Sequence, residues 1–185
     1  MKKESFIYST LTIGGSKEQV NEVMKYICDD IYDIGSIDLN KICAVPVHLN
    51  IGPDDEVSCG EKLYRHYLDL VPYPTEEEEE NAVLSRADQR RFLLGKMAVL
   101  NRKEYGYPTY TGWCTEHWGT DENVISFEEC NENSIAFLTH SAPASEAIHT
   151  LSILFPKVKL TFAWEENKVA LMDDEVVLHY EVYRY

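Results

Sequence analysis

The 185-residue chain has a formal net charge of −15, is 44% hydrophobic and contains twelve tyrosines. That length and apolar content fit one folded domain with a real core and exclude general disorder. The charge excludes nucleic acid as a direct ligand, because phosphate binding needs clustered Lys and Arg, and no run approaches the ~20 apolar residues of a membrane span.

In chain order, residues 5–13 ("SFIYSTLTI") are rich in β-branched and aromatic residues and end at Gly14-Gly15, so they read as a strand. Ser16 and Gln19 then form a capping box, and Val20, Val23, Met24, Ile27 and Ile31 make one apolar stripe of a helix. Residues 36–45 ("SIDLNKICAV") alternate and read as a second strand before Pro46. Residues 54–80 hold ten acids against Lys62 and Arg65, whereas 86–103 carry six bases against Asp88. From Thr75, an N-cap with Glu78 closing its box, this predicts one long helix that starts acidic and ends basic, as the macrodipole prefers. Val83, Ala87, Leu94 and Ala98 recur along it at helical spacing. A further helix is expected over 61–71.

Residues 123–129 read as one arm of a hairpin whose turn is Asn131-Glu132-Asn133, with 134–141 as the other. Pro143 fits the start of a helix with Ile148, Leu151 and Leu154 or Phe155 on one face, and Pro156 stops it. Residues 157–164 alternate as a strand, and "KVALM" and "EVVLHYEVYRY" form a last hairpin around Asp173-Asp174. Strand, helix, strand thus occurs twice. The expected fold is α+β: a single ferredoxin-like βαββαβ domain over 1–185, an antiparallel sheet with helices on one face. A helical insertion over 47–120 sits between core strands 2 and 3, and an extra β-hairpin follows at the C-terminus.

The segment "WCTEHWGTDEN" (113–123) gathers the residues that look most reactive. As a helix it places Tyr110, Trp113, Cys114, His117 and Trp118 on a single face, with Gly119 at C′ and Thr120 opening the next segment. Such an aromatic face favours burial against a sheet. Trp113, His117, Trp118, Gly119 and Thr120 are nonetheless the candidate ligand-binding residues. Cys114 and His117 offer two zinc ligands, but a site needs four, and His140, His149, His66 and Glu116 qualify in type only. No C-x-x-C, G-x-S-x-G, P-loop, G-x-G-x-x-G or H-E-x-x-H occurs, so no catalytic residue, metal or cofactor is expected. Gly14-Gly15-Ser16 reads as a strand-to-helix turn. The five scattered cysteines fit free thiols in a reducing cytoplasm.

Four blocks carry a family resemblance: Leu11-Thr12-Ile13-x-Gly15; Asn40-Lys41…Pro46; Trp113…Trp118-Gly119-Thr120; and Thr139…Pro143…Leu151-Ser152…Phe155-Pro156. They resemble the YubB-like family of phage, plasmid and other mobile-element proteins. The resemblance implies a ferredoxin-like fold and no established reaction. Two departures from the family pattern cover three positions. Asp121 and Glu122 stand where a lysine and an aromatic are usual, and His140 stands in place of a tryptophan. The expected function is a protein-binding or regulatory accessory of a mobile element, contacting another protein through its acidic segment, with no direct nucleic-acid or membrane partner. A small-molecule site or enzyme near 113–120, and an acidic mimic of nucleic acid, are the competing classes.

Overall fold

Along β1 (Phe6–Gly14) Ile7, Ser9, Leu11 and Ile13 are buried and the residues between them are not, the period-2 pattern of a strand with one face on a core. The computed structural model describes residues 6–32, 34–82, 85–169 and 174–184. Ser5 of the expected first strand lies outside them. β1 is the central strand of a five-stranded, wholly antiparallel sheet completed by β2 (Ser126–Asn131), β3 (Ser134–His140), β4 (Lys159–Val169) and β5 (Asp174–Tyr183), in the order β2-β3-β1-β4-β5. The register sets Leu11 beside both Ile135 and Phe162, and Ile13 beside Leu160. Phe137 stacks on Phe162 with centroids 6.0 Å apart.

Helices cover that face. α1 (Lys17–Ile27) buries Val20, Val23, Met24 and Ile27 and starts in the expected box, with Gln19 N–H donating to Ser16 Oγ and Ser16 N–H to Gln19 Oε1. It ends four residues early: Cys28 is the C-cap, and Ile31 is exposed. Further along, α7 (Ser145–Leu154) buries Ala147, Ile148 and Leu151, whereas Leu154 is exposed. The opposite face of the sheet presents Tyr8, Tyr180 and Val182 to solvent.

Three expectations need correction. Residues 36–45 are not a strand. Asp38 caps a short helix, α2 (Leu39–Ile42), by accepting from Asn40 N–H, and Leu39 and Ile42 are buried three apart rather than alternately. The strand hydrogen-bonded beside β3 is β2, the other arm of the hairpin expected from residues 123–129. At the C-terminus there is one added strand, not a separate hairpin, because residues 168 and 169 continue β4 and only β5 is new. Asp173 of the expected turn lies outside the described residues.

The long helix expected from Thr75 is two helices. Contacts divide the chain into one unit of residues 1–44 with 114–185 and a second, Val45–Trp113. In the second, a 3-10 turn (Val47–Leu49) leads to α3 (Asp54–Leu70), which begins seven residues before the helix expected over 61–71, with Asp54, Asp55 and Glu56 in its first turn. α4 (Glu76–Glu80) has the expected Thr75–Glu78 box. Asn81 then ends it, and Ser85 starts α5 (Arg86–Tyr105) by accepting from Asp88 N–H, so a second set of cap residues outcompetes one continuous helix. Of the apolar stripe expected there, Leu94 and Ala98 are buried, and Val83 lies outside the described residues.

α3 and α5 cross with their backbones touching. A Cβ on Gly60 would meet Arg91 O at 2.3 Å, and one on Gly95 would meet Gly60 O at 2.0 Å. Around the crossing, Glu61 accepts from Arg65 at 2.8 Å and from Arg102 at 3.1 Å, and Glu79 accepts from the Tyr64 hydroxyl at 2.5 Å and from Lys96. Among the described residues no helix is long and apolar enough to cross a membrane.

Candidate functional site

Residues 113–123 begin in α6 (Tyr110–Trp118). Trp113, Cys114 and Trp118 are buried, Tyr110 and His117 are half-buried, and Gly112, Thr115 and Glu116 point outward. The helical spacing therefore does place the aromatic residues on an inner face. α6 stops at Gly119, whose φ of +89° belongs to the left-handed region. Space demands glycine there as well, since a Cβ would lie 2.7 Å from Pro143 O and 3.1 Å from Ser145 N.

Beyond the glycine, each polar side chain but Glu122 ties to a different segment. Trp118 Nε1–H donates to Cys43 O at 2.8 Å, just past α2. The buried Thr120 hydroxyl donates to His140 O at 2.6 Å, a carbonyl that also accepts from Ala142 N–H at 2.7 Å. Thr139, buried at the end of β3, donates to Ala142 O at 2.8 Å and tightens the same corner, where Ser141 adopts φ +63°. Asn123 accepts from Leu39 N–H at 3.0 Å and donates to Asp38 Oδ1 at 2.6 Å, so a side chain 84 residues downstream completes the start of α2. The stretch is a clasp: in six residues it grips α2, the end of β3 and the start of α7.

The two departures from the family pattern meet here. Asp121 and His140 pair through both carboxylate oxygens, 3.0 and 2.9 Å from Nδ1, with 25% of the Asp121 side chain and 30% of the His140 side chain exposed. The ring of Phe6 lies 5.7 Å from that of His140. With Nδ1 turned to a carboxylate, any proton that His140 exchanges with a ligand passes through Nε2. Glu122 is half-buried beside the pair.

Cys114 is no nucleophile in this setting. Burial pushes its thiol up to about 12, and the nearby Asp121 carboxylate and Cys43 push the same way, so it stays protonated. Burial likewise raises Cys43. Of the residues that qualified in type as metal ligands, His149 stacks on Tyr183, Glu116 is exposed on the outer face of α6, and His66 is exposed on α3. Among the described residues no group of three or more His, Cys, Asp or Glu is placed to hold a metal ion. At Gly14-Gly15-Ser16 the first turn of α1 is closed by its own Ser16–Gln19 box.

The structure thus gathers Trp118, Gly119 and Thr120 into one corner, with Trp118 and Thr120 wholly buried. It adds Asp38, Asp121, Asn123 and His140 to them. The departures at Asp121 and His140 were the readable signal for that pair. Nothing near Asn123 in sequence announced its partner.

No protein-family model and no curated protein matches the chain. Among solved structures, it is similar to the crystal structure of a protein api92 from Yersinia pseudotuberculosis, described with the family model DUF1281. The identity is 12% and the TM-score 0.42, over 98% of this chain and 95% of that one, a likeness too slight to carry an argument about either fold or function.

Proposed function

We propose that this chain is a protein-binding module, a cytoplasmic accessory of a phage, plasmid or related element, in which a ferredoxin-like frame carries an acidic helical contact segment. One observation carries the binding reading. In the helical unit, Glu56, Glu61 and Glu79 are held by Arg90, Arg65 and Arg102, and Lys96, whereas Asp54, Asp55, Glu76, Glu77 and Glu80 are exposed and in no ion pair among the described residues. That surface complements a basic patch on another protein.

The order β2-β3-β1-β4, with α1 following β1 and α7 joining β3 to β4, supports the ferredoxin-like frame. The family resemblance gains support from the clasp, where residues of three of its blocks touch: Trp118 with Cys43, Thr120 with His140, and Gly119 with Pro143. Free thiols at Cys28, Cys43, Cys59 and Cys114 are consistent with a reducing compartment.

The test is affinity capture from host lysate with the native chain and with a Glu76→Lys, Glu77→Lys, Glu80→Lys variant. The reading expects a partner that the native chain retains, that rising salt releases, and that the variant loses while its circular dichroism is unchanged. Equal capture by both overturns it, and displacement of the partner by duplex DNA would favour the nucleic-acid mimic.

The Asp121–His140 pair favours a second reading, a small-molecule or catalytic site beside α6. Under it, Asp121→Asn alters ligand binding or turnover with the melting temperature unchanged. An effect on melting alone leaves the pair as part of the clasp.

A further inference from the structure

α5 has two apolar faces, and the fold uses one. Phe92, Leu94 and Ala98 are buried. Leu93, Met97 and Leu100, spaced by four and three residues, form a second stripe that is 57%, 36% and 53% exposed. Three large apolar side chains in a row on solvent mark an unfilled contact.

The ends of that stripe say what fills it. Arg90 and Glu104, each seven residues from Met97, continue the stripe in either direction and are both exposed. One end is therefore basic and the other acidic. At ~1.5 Å per residue, each lies about 10 Å along the axis from Met97, on opposite sides. Turn a second α5 antiparallel about Met97 and the pattern matches itself. Leu93 falls beside Leu100 of the other copy, the two Met97 side chains meet at the two-fold axis, and each Arg90 comes level with the other copy's Glu104. This is the self-complementarity of an isologous interface. Arg90 contacts Glu56 at 3.2 Å, but its side chain is 73% exposed and can serve both carboxylates. Lys96, which flanks the seam and would face its own copy, is already neutralised by Glu79.

We propose that a second copy of this chain docks antiparallel on the Leu93–Met97–Leu100 stripe of α5, registered by reciprocal Arg90–Glu104 pairs. The dimer goes beyond the acidic contact proposed above; its stripe uses other residues, although Leu93 lines one cavity with Glu76 and Glu80, so the two surfaces adjoin. A helix-pair seam is small by the standard of stable interfaces, so association in the micromolar range is expected.

Sedimentation velocity over a concentration series from micromolar to near-millimolar tests it. The native chain is expected to pass from monomer to dimer. Met97→Glu, at an exposed position that folding tolerates, moves the midpoint up about a hundredfold or more by placing two like charges on the axis. Arg90→Glu alone and Glu104→Arg alone each weaken association about threefold to tenfold, and the double exchange restores it. Circular dichroism confirms that each variant is folded, and Leu100→Ser repeats the Met97 test if that variant is not.

A native chain that stays monomeric throughout overturns the proposal, as does a double exchange that fails to restore the dimer, or a stripe occupied only by a different protein. Met97→Glu should lose the dimer and still capture a partner through Glu76, Glu77 and Glu80, whereas a native chain that captures a partner but stays monomeric refutes the dimer alone. A native chain that dimerises while the Glu76→Lys, Glu77→Lys, Glu80→Lys variant captures as much as it does refutes the acidic contact alone.

Discussion

In the unit that contains the sheet, the polar groups of residues 118–123 turn mostly to backbone carbonyls and amides: Trp118 to Cys43 O, Thr120 to His140 O, Asn123 to Leu39 N–H. In the helical unit the corresponding connections run between charged side chains, Glu61 to Arg102 and Glu79 to Lys96, around a backbone-to-backbone crossing of α3 and α5. One unit is joined mainly by neutral donors on backbone groups, with the Asp121–His140 and Asn123–Asp38 contacts beside them. The other is joined by carboxylates that acid can switch off. A close crossing without side chains between the helices leaves ion pairs at its rim to fix their register, whereas a clasp of loops over a sheet needs partners for orphaned backbone groups.

The sharpest way to break that contrast is to remove the centre of the clasp. Trp118→Ala should cost about 3–5 kcal/mol, from lost burial and the stranded Cys43 carbonyl. Hydrogen exchange should show the loss in residues 1–44 and 114–185, with 45–113 retaining protection. An unchanged melting temperature would mean that Trp118 does not pack as described.

Gly95→Ala is the counterpart in the other unit. Its Cβ would meet Gly60 O at 2.0 Å, Gly60 C at 2.4 Å and Tyr64 Cβ at 2.9 Å, so the helices must part at a cost of about 1–3 kcal/mol or more. Here protection should fall in α3 and α5 and persist in the sheet.

Acid should separate the two units without mutation. The Arg102 hydrogen bond, with help from Arg65, holds Glu61 below the ordinary carboxylate value of 4.5. Burial pushes Glu79 upward, but its bonds from Lys96 and Tyr64 outweigh that and hold it low as well. A depressed folded value contributes stability that is present above the unfolded value and lost as pH falls through the folded one. The helical unit should therefore loosen below about pH 4.5, read as loss of exchange protection in α3 and α5 ahead of the sheet. Simultaneous loss in both units would remove the distinction.

The smallest expected effect is a gain. The Ser9 hydroxyl is buried in β1 with no hydrogen-bond partner among the described residues, opposite Phe137 and Trp164. Ser9→Ala should raise stability by about 1 kcal/mol, measured by urea denaturation, because a stranded buried hydroxyl is removed. A loss of that size would show that the hydroxyl has a partner after all.

How much of this was legible in the chain depended on where each residue's partner lies. β1, α1, β3 and α7 were readable because their own spacing declares the buried face: Ile7, Leu11 and Ile13 by twos, Val20, Val23 and Ile27 by threes and fours. α2 was not. Ile37, Leu39 and Ile42 satisfy a strand about as well as a short helix, and the decision is made by Asn123 capping Leu39 from across the chain. The break between α4 and α5 was written in Ser85 and Asp88, a second cap set that the acidic-to-basic trend obscured. Gly60 and Gly95 reveal their role only as a pair, since either alone reads as a weak point in a helix. Of the candidate site, the aromatic face of α6 and the end at Gly119 were readable from spacing. The clasp was not, because each of its bonds reaches a segment distant in sequence.

The place of β1 in the sheet also sets an order of events during synthesis. It leaves the ribosome before both of its neighbours, residues 134–140 and 159–165, and stands between them. Residues 45–113 form a compact, contiguous unit and are translated before either neighbour. The helical unit can therefore fold on the nascent chain while Phe6–Ile13, a β-branched and aromatic segment with both edges unpaired, waits for partners not yet translated. Until they arrive it is the part of the molecule most exposed to mispairing with another chain, and the burden on chaperones falls there.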